Sequence, residues 1–73
     1  MTLNDTKLRC KARVVDIECE KDIKRRLGSL GLFEGVVVQV INRNFGIAVV
    51  EVLYSTKIGI DEDVLKDIYV QMI

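Results

Sequence analysis

Two spacings meet inside the stretch Ile23–Val40, and their junction limits the fold more than any other part of this 73-residue chain. Ile23, Leu27 and Leu30 stand at i, i+4 and i+7, so they share one face of a short helix. Lys24, Arg25 and Arg26 fall on its other sides, and the two arginines lie late enough to face its negative end. Gly31 follows the last apolar residue of that face, where a left-handed residue ends a helix without a Cβ penalty. With Leu30 as the C-cap, Leu32 folds back toward Leu27 in a Schellman ending. Glu34-Gly35 then supplies a second turn, and beyond it the period drops from 3.6 to 2 across Val36, Val38 and Val40. A helix clamped against the mouth of a sheet follows, with the helix expected over about residues 21–30.

The rest of the chain reads as strands. Lys11–Glu18 is the first, and the uneven alternation of Val14, Val15 and Ile17 points to a bulge or a twist. Glu18 to Lys21 connects it to the helix, with Glu20 or Asp22 serving the helix N-terminus. Val36–Ile41 is the second strand. Asn42-Arg43-Asn44-Phe45-Gly46 is a hairpin loop whose asparagines and glycine suit positive φ. Ile47–Tyr54 is the third strand, Ser55-Thr56 a turn, and Lys57–Ile60 a short fourth strand. Asp61-Glu62-Asp63 reads as a cap with an acidic first turn, giving a helical turn over about 61–66. Ile68–Met72 is the fifth strand, and Met1–Arg9 a polar, loosely ordered leader. The expected fold is mainly β: a small five-stranded, partly open barrel in a single domain over 1–73. A chain of this length buries only about 60% of its unfolded surface. Val37, Ile41, Ile47, Val49 and Leu53 form a second apolar set too large for so small a core. They are expected to face the helix, a partner or a second copy.

The chemistry of catalysis is absent. The chain has no histidine, no GxSxG and no P-loop, and Ser29 and Ser55 have no imidazole to activate them. It is expected not to be an enzyme. Eleven basic and eleven acidic residues cancel, so no long-range field draws in nucleic acid. Residues 1–12 carry no apolar signal core, and the longest apolar run, Val36–Ile41, is too short to span a bilayer. These features give a cytoplasmic expectation with reduced thiols. Cys10 and Cys19 have neither zinc nor redox spacing. They are two ordinary thiols or, with Glu20 at one barrel end, ligands for a soft transition metal ion. Lys24-Arg25-Arg26 is a solvated helix face or a docking patch for an acidic surface or a nucleotide phosphate.

The pattern Ile23-Lys24-Arg25-Arg26-Leu27-x-x-Leu30-Gly31-Leu32-x-x-Gly35-x-x-Val38-x-Val40 resembles the helix–turn–strand signature of the FeoA family. Met1-Thr2-Leu3, Lys11–Val15, Lys57–Ile60 and Ile68-Tyr69-Val70 extend the likeness nearly end to end. Glu34 replaces the usual proline before the second glycine. Leu8-Arg9 stands where Pro-Gly is usual, Cys19 where a glycine is, and Asp61 where a basic residue is. The resemblance implies an SH3-like fold and a non-enzymatic role. In that role the protein binds the cytoplasmic, GTP-binding part of the FeoB transporter, supports Fe²⁺ uptake and meets the membrane only through it. Lys24, Arg25, Arg26, Leu30, Leu32 and Phe33 are the candidate partner-binding residues. The same fold serves DtxR-type metal-dependent repressors, so a regulatory domain beside such a repressor is the alternative, with a small metal-binding protein as a third reading.

Overall fold

The computed structural model describes residues 1–52 and 56–73. Five strands form one antiparallel sheet: β1 (Ala12–Ile17), β2 (Val37–Asn44), β3 (Ile47–Val52), β4 (Thr56–Asp61) and β5 (Ile68–Met72), in the spatial order β4-β3-β2-β1-β5. One α-helix, α1 (Lys21–Ser29), joins β1 to β2, and a 3₁₀ helix (Glu62–Asp67) carries the chain from edge strand β4 to edge strand β5. The expected strand and helix order therefore holds. The strand ends at Leu53–Tyr54 and the turn residue Ser55 lie outside the described residues, whereas Thr56 already pairs with Val52 in β4.

The sheet closes on a valine-rich core because the inward positions alternate. Ala12, Val14 and Ile17 of β1, Val38 and Val40 of β2, Ala48, Val50 and Val52 of β3, and Ile68 and Val70 of β5 are buried. Two bulges let so short a sheet coil. The β1–β5 register slips between Val14 and Asp16, which turns Val15 outward at 50% exposure. The β2–β3 register slips between Val40 and Asn42, so Arg43 comes to lie opposite the buried Ala48. Directly paired residues share a face of the sheet. Arg43 therefore points to the core side at the open end of the barrel. Its guanidinium holds Glu62 Oε1 at 2.8 Å through Nε, Asn4 Oδ1 at 2.7 Å through Nη2 and the Asn4 carbonyl at 3.2 Å through Nη1.

That clasp corrects the expectation of a loose leader. Leu3–Asp5 is a 3₁₀ helix closed by a capping box between Thr2 and Asp5, and Leu3 is fully buried. Thr2 bridges to Tyr69, and the Val70 N–H donates to the Met1 carbonyl at 2.9 Å. A polar segment is ordered here because one leucine supplies the burial and backbone pairing the rest. Arg9 sits at φ 66°, the conformation a glycine there would adopt freely, and its N–H reaches the Val40 carbonyl at 2.7 Å. The second correction concerns the β2–β3 hairpin. Its turn is only Phe45-Gly46, at φ 51° and 78°, with Asn42 and Asn44 inside β2. Two successive positive φ values define the tight turn that matches strand twist, and the ladder runs down to the pair Asn44–Ile47 instead of stopping at Ile41. The second apolar set ends between core and surface: Val37, Ile41 and Val49 are half-buried and Ile47 is 44% exposed.

Candidate docking surface

α1 begins on Glu20, whose carbonyl accepts the Lys24 N–H at 2.9 Å, and Asp22 places negative charge in the first turn. Its end is the expected Schellman motif. Leu32 N–H bonds the Leu27 carbonyl at 2.9 Å and Gly31 N–H bonds the Gly28 carbonyl at 3.1 Å, with Gly31 at φ 98°. A second turn follows over Phe33–Val36, where Gly35 takes φ 97° and donates its N–H to the Val14 carbonyl at 2.8 Å. These two turns fix the helix over the barrel. Leu27 (4% exposed) and Leu32 (0%) enter the core, and Ile23 packs against it.

Between α1 and the sheet runs an open groove of about 310 Å³. Ile23, Leu27 and Leu30 form its helical wall, and Ile47, Ile60 and Val64 the opposite one. Arg26 stands on the helix side, and Asp61 with Gly59 on the β4 side. Among the described residues, Arg26 and Asp61 make no ion pair. A mostly apolar trough with one unpaired charge at each rim is suited to holding an amphipathic segment.

The structure thus brings Arg26 and Leu30 together and separates the other candidates. Leu30 is 44% exposed and lines the groove. Lys24 and Arg25 are exposed on the helix, outside the groove lining. Phe33, 49% exposed, sits at the turn before β2. Leu32 presents no surface, because the Schellman ending drives it inward. Sequence reasoning missed the far wall. Ile60 and Val64 look like ordinary strand and turn residues until the fold sets them across from the helix, while the surplus apolar character of Ile47 was the one available signal.

The sulfur ligands do not converge. Cys10 precedes β1 and Cys19 follows it, so they flank opposite ends of a strand about 17 Å long. No group of three or more His, Cys, Asp or Glu able to hold a metal ion occurs among the described residues. Burial pushes the Cys19 thiol above its ordinary value, with the Asp67 carboxylate adding to the effect, so the metal-binding thiolate is disfavoured. The hydrogen bond and charge of Asp16 likewise raise the neighbouring Glu18 carboxyl. Among the described residues, no helix is long and apolar enough to cross a membrane.

The model of the FeoA domain family matches residues 1–72. No curated protein matches the sequence. Among solved structures, the FeoA protein of Chlorobium tepidum superposes with a TM-score of 0.92 at 23% identity, covering 99% of this chain and 70% of that one. A crystal structure of an iron uptake regulatory protein (FeoA) superposes at 0.82 with 22% identity, covering 100% and 96%. The zinc complex of Stenotrophomonas maltophilia FeoA superposes at 0.74 with 25% identity, covering 97% and 89%. That protein is described as a procaryotic SH3 domain protein and as a candidate ferrous iron transport activating factor. With five antiparallel strands, the cross-over 3₁₀ helix and a family match over nearly all of its length, this chain has the SH3-like fold and belongs to the FeoA family.

Proposed function

We propose that this chain is a non-enzymatic, cytoplasmic accessory protein of ferrous iron uptake, a single domain that docks on the cytoplasmic GTP-binding part of a FeoB-like transporter. The groove between α1 and β4 carries the reading: apolar walls, at its rim an Arg26 that makes no ion pair among the described residues, and a half-exposed Leu30 available for burial. The descriptions of the relatives as an iron uptake regulatory protein and a candidate transport activating factor point the same way. A small module with no histidine acts on such a partner by contact. The candidate contacts are Arg26 and Leu30, flanked by Lys24, Arg25 and Phe33.

Titration of the isotope-labelled chain with the transporter's cytoplasmic part, nucleotide-free and with GDP or a GTP analogue, tests this by amide-shift mapping. Shifts should concentrate on α1, Ile47 and residues 59–64. Leu30→Asp and Arg26→Glu should each weaken binding by about tenfold or more, as loss of a central anchor does. Lys66→Glu, outside the groove, should not. Absence of binding in every nucleotide state, or wild-type affinity in both groove variants, overturns the proposal.

A further inference from the structure

The two edges of the sheet are treated differently. The β5 edge is sealed by the chain's own N-terminal segment, through the Thr2–Tyr69 bridge and the bond from Val70 N–H to the Met1 carbonyl. The β4 edge pairs with β3 alone among the described residues. Its register is regular, with no bulge from Ile47–Asp61 to Val52–Thr56. The Glu62 N–H bonds the Gly46 carbonyl at 2.8 Å. Alternation along an antiparallel ladder then turns the backbone groups of Ile60 and Ile58 toward β3 and those of Gly59 and Lys57 outward. Natural sheets normally screen such an edge. Here the residue at its centre is Gly59, which has no side chain to do so.

We infer that the groove beside this edge is a slot for an extended peptide segment, which adds to β4 as a sixth strand. This rests on the docking reading above and specifies how the partner is held. The segment's backbone pairs with the outward N–H and C=O groups of Lys57 and Gly59. One of its apolar side chains lies between Leu30 and Ile60, and a carboxylate meets Arg26. The charges fix the polarity, since Asp61 on the strand side repels a second acid and leaves the helix side for it. The edge favours a strand over a helix: the outward groups of Lys57 and Gly59 on β4 can be paired by an extended backbone, whereas a helix satisfies its backbone groups internally. Lys57 and Asp61, which form no ion pairs among the described residues, flank the open stretch and restrict which strands pair with it.

The test uses the full chain and the cytoplasmic part of the transporter. On saturation, the Lys57 and Gly59 amides should exchange with solvent at least about tenfold more slowly. The Gly59 amide should also show nuclear Overhauser contacts to partner backbone protons. Gly59→Val places a branched side chain on the groove lining at a strand position that suits it. Gly59 lies in β4, and an added Cβ meets only Ile47 Cγ2 at 3.6 Å. The variant should unfold at or above the wild-type temperature yet bind at least about tenfold more weakly. Wild-type affinity in Gly59→Val, together with unprotected Lys57 and Gly59 amides in the complex, overturns strand addition and leaves the docking reading standing. Failure of the wild-type chain to bind in any nucleotide state removes both.

Discussion

Gly28 and Gly31 lie three residues apart, and the same substitution at each should change stability in opposite directions. Gly28 is inside α1, and an added Cβ there meets nothing within 4 Å. Alanine at such a site limits the unfolded chain and suits the helix, so Gly28→Ala should stabilise by about 0.5–1 kcal/mol. Gly31 has equal room, its Cβ meeting only Val52 Cγ1 at 3.8 Å, but its φ is 98°. Steric space is therefore not the issue; backbone conformation is. Holding an L-residue in the left-handed region costs about 1–2 kcal/mol, which outweighs the gain from a stiffer unfolded chain. Gly31→Ala should destabilise by about 1 kcal/mol net. In a domain of this size the two variants should melt roughly 10 °C apart, on either side of the wild type. Thermal unfolding followed by far-ultraviolet circular dichroism, repeated in urea, measures both. Two shifts of the same sign would show that the Schellman ending does not fix the end of α1 as described.

Three further expectations follow from local geometry. Phe45 and Arg9 hold positive φ without being glycine, and Phe45 is 95% exposed; Phe45→Asn and Arg9→Gly should each stabilise by about 0.5–1 kcal/mol in chemical denaturation. Arg43→Ala breaks one ion pair and two further hydrogen bonds at groups about a third exposed. It should cost about 2 kcal/mol and speed amide exchange in residues 3–6, while Arg43→Lys recovers only part because an ammonium lacks the fork. Cys19 should alkylate more slowly than a free thiol under mildly alkaline conditions, with its pH–rate midpoint above the usual thiol value. Asp67→Asn should bring that midpoint down, since the carboxylate opposes the thiolate. A midpoint at or below the ordinary value would contradict the burial of this side chain.

The parts of the molecule legible in the sequence are those where one short-range rule acts alone. The α1 ending is written in Leu27, Leu30, Gly31 and Leu32, because a Schellman motif needs only residues adjacent in the chain. The bulge near Val15 shows as a break in alternation. The β2–β3 hairpin misled for the same reason in reverse: two asparagines advertise a long loop, and only the pairing energy of the extra ladder from Asn42 to Asn44 reveals a two-residue turn paid for with strain at Phe45. Half of the groove was readable, the helical half with Arg26 and Leu30. The other half was not, since Ile60 and Val64 come to face the helix only through the cross-over from β4 to β5. Leu32 is no surface residue, because the motif that folds it back onto Leu27 also buries it. The separation of Cys10 and Cys19 is legible as well, since the strand expected over Lys11–Glu18 already lies between them.

The β1–β5 pairing has a kinetic consequence. β2, β3 and β4 follow one another directly, so each joins its neighbour through local closure, whereas the nearest β1–β5 partners are Ile17 and Ile68. Closing a loop of that length costs about 2–3 kcal/mol more entropy than a two-residue turn. The three-strand meander should therefore assemble first and the barrel close last. During synthesis, Val14 and Ile17 wait without their fifth-strand cover until Ile68 and Val70 have left the ribosomal exit tunnel, and over that interval the nascent chain is most open to capture by chaperones or to mispairing.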